Sequence, residues 1–248
     1  RRPPEVVEAI SSFLTEVGAT PGRGGHRLAV EAGRVALGCR RAVARVLGVP
    51  EDPTRVVLGP NATQALNVAL RGLLGPGELV VTTVFDHNAV LRPIHQLARE
   101  RGVRSRMIPG DAAGALDLEE ARKALDGARL LVINAVSNVL GTRLPIRELA
   151  ELAHRAGALV LLDAAQYAGH FQEPLDEMGA DLVAFTGHKG LLGPQGIGGL
   201  WIREGLEPEP FLAGGTGGNS ESRELPEGLP GRLEAGSANA PGMAGLTA

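Results

Sequence analysis

Apolar residues recur at helical spacing near the start of the chain. Leu28, Ala32, Val35, Cys39, Ala42 and Val46 follow a 3.6-residue repeat, which predicts one apolar face on a helix over about 27–47. Cys39 falls on that face and so reads as core packing rather than chemistry. Beyond this helix the pattern alternates. Short β-rich runs occur at Arg55–Leu58, Leu79–Val84, Val103–Ile108, Leu130–Val136, Leu159–Leu162 and Leu182–Phe185, with helical stretches near 62–74, 88–101, 117–126 and 145–156. Strands that alternate with helices, and that are apolar enough to be covered on both faces, predict an α/β fold with a mostly parallel sheet. Gly198–Ile202 reads as one further strand, a candidate for antiparallel pairing. From 204 onward Pro208, Pro210, Gly214-Gly215, Pro226 and Pro230 punctuate a segment without clear periodicity.

Composition adds bounds rather than identity. With 248 residues the chain can build one sizeable core, or one core and a small appendage. A net charge of −3 gives no electrostatic reason to expect nucleic acid. One cysteine excludes an intrachain disulfide framework and suits a reducing compartment. No apolar run reaches the length of a membrane span, and Arg1-Arg2-Pro3-Pro4 leads into a helix without a signal-peptide core. The expectation is a soluble cytoplasmic protein with neither membrane nor nucleic acid as partner.

The cations change the picture. Of 25 Lys and Arg residues only Lys123 and Lys189 are lysine. Lys123 follows Glu119 by four residues on a predicted helix, which makes it a solvated ion pair. Lys189 sits in a glycine-rich loop after the sixth strand, where desolvation can free its amine as a nucleophile. Arginine cannot form a Schiff base, so a chain that otherwise prefers arginine has a chemical reason to keep lysine there.

Ligands of open α/β sheets bind beyond the carboxyl ends of the strands. Five strand ends here deliver polar groups: Asn61-Ala62-Thr63, Asp86-His87-Asn88, Ser137-Asn138, Asp163-Ala164-Ala165-Gln166 and Thr186-Gly187-His188-Lys189. Pyridoxal-phosphate (PLP) chemistry needs a lysine and an acid facing the pyridinium nitrogen, roles open to Lys189 and Asp163. Thr63, at the head of helix 62–74, can serve the cofactor phosphate. Each residue also has a plainer use. Asp163 can cap the following helix, Thr63 and Thr186 can be caps or turn residues, and His26 can be structural in its glycine-rich loop. His87 and His95 lack the acidic or cysteine partners of a metal site. Neither a phosphate-binding G-x-x-x-x-G-K-[ST] loop nor a strand-linked G-x-G-x-x-G is present, and no G-x-S-x-G elbow occurs.

The stretch FTGHKGLLGPQGIGGLWI, together with GRGGHRL, NATQALN, DHNAVLRPI, SNVLGT, DAAQYAG, GGTGGNS and RLEAGSANAPG, resembles the class V aminotransferase family in its cysteine desulfurase and selenocysteine lyase-like branch. The motifs occur in the family's order from about 20 to 246. The resemblance implies a three-layer α/β/α large domain over 21–248, preceded by a helical segment at 1–20. It implies that 204–248 leads toward a small C-terminal domain absent from this sequence. It also implies pyridoxal 5'-phosphate as cofactor. Lys189 would carry it and later move the substrate Cα proton, Asp163 would hold the ring nitrogen protonated, and Gln166 would face the phenolic oxygen. His87 would stack on the ring. Ala62, Thr63, Thr186 and His188 would line the phosphate, and Thr216 would reach the phosphate of a second subunit in a homodimer. Asn138 and His26 would meet the substrate.

Three departures stand out. The family's opening strand and Asp-Asn-Ala-Ala-Thr-type loop have no counterpart here, Ala135 stands where relatives often carry histidine, and Gly236-Ser237 replaces a usual Gly-Thr. The small domain's carboxylate-binding arginine and persulfide cysteine are not found either. The expected function is that of a PLP-dependent lyase or transferase like cysteine desulfurase, acting on cysteine or selenocysteine with a sulfur-acceptor protein. The alternatives are another class V aminotransferase or β-lyase activity, and a truncated PLP-binding protein without turnover.

Overall fold

The computed structural model describes residues 1–22, 24–216 and 222–248. Arg23 of the GRGGHRL stretch and the end of GGTGGNS lie outside them. Seven strands form one sheet: β1 Val56–Gly59, β2 Leu79–Thr83, β3 Arg104–Ile108, β4 Leu130–Asn134, β5 Leu159–Asp163, β6 Leu182–Thr186 and β7 Gly198–Ile202. Their order across the sheet is β1-β7-β6-β5-β4-β2-β3. All pairs are parallel except those made by β7, which runs antiparallel to β1 and β6. Because β7 is reversed against both, β1 and β6 point the same way and end on one edge.

Alternation along each strand sorts side chains into two cores. Val56, Leu58, Leu79 and Val81 join one cluster with helices α2 (Arg27–Leu47), α5 (Leu118–Ala124) and α6 (Ile146–Arg155). Val57, Val80, Leu130 and Leu161 join the other with α3 (Ala62–Leu73) and α4 (Asn88–Arg101). The sheet is therefore covered on both faces, a three-layer α/β/α sandwich, and its strands carry apolar residues at consecutive positions for that reason. The exception is edge strand β3, whose first four residues are exposed and include Arg104 and Arg106, a charged edge that discourages further strand pairing. Gly199 is dictated by crowding at the centre of the β7 crossing, since a Cβ there would lie 2.2 Å from the Val57 carbonyl oxygen.

Two readings of the helices need correction. The buried stripe of α2 is Ala29, Ala32, Ala36, Cys39, Arg40, Val43, Ala44 and Leu47, rotated from the expected face, and Val46 is 48% exposed. The rotation has a cause: α2 is wedged between the sheet and helix α7 (Ala240–Thr247), which the periodicity did not reveal. α7 in turn packs on α1 (Pro4–Ser12), where Gly245 meets Ile10 and Val6. The second correction concerns Lys123. Its partner is Glu120 at 2.7 Å, while Glu119 pairs with Arg122.

Near its end, the proline- and glycine-rich stretch before α7 is held at Glu234 by an ion pair rather than by a periodic face. Arg40, itself buried, forms a bidentate pair with Glu234 at 2.6 and 2.7 Å and also donates to the Val56 carbonyl. Glu234 accepts the Leu58 amide as well, at 2.5 Å. One carboxylate thus joins the tail, α2 and β1 beside the edge where the polar residues gather.

Candidate active site

That edge carries a cleft of about 250 Å³ lined by Asn61, Ala62, Thr63, His87, Asn134, Asn138, Asp163, Gln166, Thr186, His188 and Lys189, among others. It falls just below the usual size of ligand clefts, which run from about 300 to 1,000 Å³. Each strand end supplies a piece. β1 turns into α3 at Asn61, whose side chain caps the helix by accepting the Gln64 amide at 3.0 Å. The amides of Ala62 and Thr63 have no acceptor among the described residues. They sit at the positive end of a twelve-residue helix, a place suited to an anion.

β2 turns into α4 through Thr83–His87. His87 caps α4, its Nδ1 accepting the Ala89 amide at 3.0 Å, which leaves Nε2 as the nitrogen carrying hydrogen. Between these two, at the centre of the sheet, β5 ends on Asp163, which is 4% exposed. Its Oδ1 accepts the Ala165 amide at 3.0 Å. Burial pushes the Asp163 carboxyl above its ordinary range, and the Ala165 amide and the positive charge of Lys189 pull against that shift. A cationic nitrogen brought to this carboxylate would complete the opposition.

β6 ends on buried Thr186, whose hydroxyl lies 3.0 Å from His188 Nδ1. Burial, Lys189 and Arg2 lower the proton affinity of His188, so its ring is neutral at neutral pH. Lys189 follows in a crowded loop. Gly169 (φ +83°) lies so near it that a Cβ would fall 2.3 Å from the Gly190 carbonyl carbon. Leu192, three residues on, takes a left-handed φ of 58°, a strained backbone of the sort found at functional loops. Arg2 donates to the His188 carbonyl at 2.8 Å, tying the start of the chain to the lysine loop.

Nine of the eleven residues singled out in the sequence meet in this cleft. Two do not. His26 caps α2 by accepting the Ala29 amide at 3.3 Å and lines a separate depression. Thr216 lines a larger cavity of about 840 Å³ beside Arg40 and Gln64. Asn134 is an addition. The sequence reading ran the fourth strand to Val136, whereas β4 stops at Asn134, a polar residue closing an apolar run that could have marked the strand end. Its amide donates to the Phe85 carbonyl at 3.1 Å. Among the described residues no group of His, Cys, Asp and Glu could hold a metal ion, and no helix is long and apolar enough to cross a membrane.

In sum of its chemistry the cleft offers open amides and hydroxyls to an anion, a buried carboxylate to a cation, and a primary amine to a carbonyl carbon. Comparison with known proteins meets the same description from outside. The family model described as Aminotransferase class-V matches residues 1–248. A probable cysteine desulfurase of Pyrococcus abyssi is 36% identical over 99% of the chain and 63% of its own length. The apo structure of a cysteine desulfurase from Thermococcus onnurineus NA1 superposes with a TM-score of 0.91 at 37% identity, covering 99% of this chain and 63% of that one. A structure of SspA in complex with cysteine gives a TM-score of 0.85 at 25% identity, over 99% and 68%. The chain belongs to the class-V aminotransferase family, in its cysteine desulfurase branch. It spans a little under two thirds of the curated relative's length.

Proposed function

From that membership we propose that the chain is the cofactor-binding large domain of a PLP-dependent cysteine desulfurase, with L-cysteine as substrate. The observation that carries the reading is the cleft itself, where Lys189, Asp163 and the open amides of α3 line one small cavity. The donor set fits the cofactor. Thr63, Thr186, neutral His188 and the Ala62 and Thr63 amides would hold the phosphate, Asp163 the ring nitrogen, Gln166 the phenolic oxygen and Lys189 the aldehyde carbon. When bound, PLP supplies a ring that draws electrons from the substrate Cα.

The chain's own residues would do the rest. Asp163, inside a low-dielectric floor, stabilises a proton on the ring nitrogen because that proton offsets its own buried charge. His87 covers the cleft from the head of α4, its ring direction fixed by the Ala89 amide. Lys189 would be the base that moves the substrate Cα proton. Asn138, at the exposed margin of the cleft, orients the substrate carboxylate. A homodimer, with Thr216 completing the neighbouring site, belongs to the same proposal, as does a cytoplasmic setting.

One observation favours a divided reaction. Desulfuration needs a thiolate to take the substrate sulfur, and the only cysteine is Cys39. It is fully buried, and burial pushes its thiol up to about 11, so it is not that nucleophile. The thiolate belongs to another segment or another molecule, and this chain captures PLP and activates cysteine. The test is to add PLP, reduce with borohydride and map the pyridoxyl peptide by mass spectrometry. Lys189 should carry the adduct and Lys189→Ala should abolish it. An adduct confined to Lys123 would overturn the assignment.

A further inference from the structure

Beneath the cleft lies a second buried carboxyl with no part in the chemistry above. Asp86 is 7% exposed. Its Oδ2 accepts the Thr83 amide at 2.5 Å, and its own amide donates to the Thr83 carbonyl at 3.2 Å. Together these close the turn that ends β2 and sets His87 at the head of α4. Its Oδ1 is buried with no hydrogen-bond partner within bonding distance among the described residues. In the sheet β4 is flanked by β2 and β5. Asn134 of β4 lies opposite Asp163 and donates to the Phe85 carbonyl, one residue before Asp86. Two buried carboxyls, Asp163 in the lining of the cleft and Asp86 behind it, are therefore separated by a single strand.

We propose that Asp86 is a positioning residue that keeps its proton in the folded chain up to neutral pH, so that over this range the negative charge beside the cleft resides on Asp163. Two buried carboxylates that share a low-dielectric region resist double ionisation, and the one in the poorer environment retains the proton. The environments differ in a definite way. Lys189, beyond β6, acts on Asp163. The charge acting on Asp86 from a neighbouring strand is the like charge of Asp163. An ionised Asp86 would also leave Oδ1 charged and unsolvated, whereas a neutral acid does not. Burial accordingly outweighs the hydrogen bonds of Thr83 and the weaker pull of the Asn134 backbone amide, and pushes the Asp86 carboxyl up to about 7. The functional consequence rests on the reading of Asp163 as the partner of the ring nitrogen. A neutral Asp86 leaves Asp163 free to ionise, while the Thr83–Asp86 turn holds His87 in place.

The test uses the full chain without cofactor, so its outcome is independent of whether PLP binds. The carbonyl stretch of a buried protonated carboxyl is recorded by infrared spectroscopy at pH 5 in wild type, Asp163→Asn and Asp86→Asn. The band should be present in wild type and Asp163→Asn, absent in Asp86→Asn, and should titrate away in wild type near pH 7. Absence from wild type, or loss in Asp163→Asn, overturns the proposal. Should Asp86→Asn fail to fold, the wild-type titration and Asp163→Asn still decide. Urea unfolding gives a second readout. Because the folded carboxyl is raised from 3.8 to about 7, the unfolded chain releases this proton first as pH rises. Wild-type stability then falls between about pH 4 and pH 7 and levels off above. Asp86→Asn lacks that loss, so the ratio of its folding constant to the wild-type value should rise between pH 4 and pH 8 by up to about a thousandfold, a factor of ten per unit. Equal pH profiles for the two proteins would overturn the proposal.

Discussion

Replacing Glu234 by alanine removes one carboxylate and orphans three donors. Both Arg40 nitrogens that form the pair lose their acceptor, although one keeps the Val56 carbonyl, and the Leu58 amide at the end of β1 is left unpaired. The side chains of Arg40 and Glu234 are 11% and 18% exposed, so water restores little of what is lost. Breaking a buried pair by removing one partner costs about 3–5 kcal/mol, because it strands the other charge. The unpaired Leu58 amide falls inside that figure, since an unsatisfied buried donor costs about 1–3 kcal/mol. Urea unfolding at pH 7 should therefore show an unfolding free energy lowered by this amount, as a shifted midpoint at unchanged slope. Glu234→Gln, which still offers an oxygen to Leu58, should lose less. Replacing both partners with apolar residues of similar volume should cost less than Glu234→Ala alone. A loss below about 1 kcal/mol for Glu234→Ala would refute the reasoning, since that is the behaviour of a solvated surface pair.

Two further perturbations address the lysine loop and the cysteine. Gly169→Ala demands a side chain at φ +83° and puts its Cβ against the Gly190 backbone. It should cost about 1–3 kcal/mol in stability and weaken PLP capture at Lys189 at least tenfold by spectral titration. Gly77→Ala, at φ +73° with open space around it, is the control for left-handed strain alone, and equal losses in the two variants would remove the packing argument. Cys39 should resist Ellman's reagent in the folded chain at pH 7 and react fully in denaturant. Rapid labelling of the native protein would contradict its burial and its raised thiol.

Local chemistry was written plainly in the chain. The alternation of β-rich and helical runs located every strand within a few residues, because a strand covered on both faces has to be apolar at successive positions. The scarcity of lysine drew attention to Lys189, and the polar residues just past the strands marked Thr63, His87, Asp163 and Thr186 before any contact was visible. All of these inferences depend on near neighbours in sequence or on residue type.

Tertiary structure decided what near neighbours cannot. The order β1-β7-β6-β5-β4-β2-β3 inserts the last strand between the first and the sixth, a pairing of distant segments that no periodicity records. It is this insertion that carries the amides of α3 to the same cleft as Lys189. The buried side of α2 was misjudged by part of a turn because its second partner, α7, lies some 200 residues away and is too weakly amphipathic to announce itself. Arg40 is buried because Glu234 meets it from the tail. Asp86 looked like one more polar residue at a strand end. Its unpaired oxygen and its distance of one strand from Asp163 exist only once the sheet has assembled, since burial and the field of a second charge are properties of the fold and not of the residue.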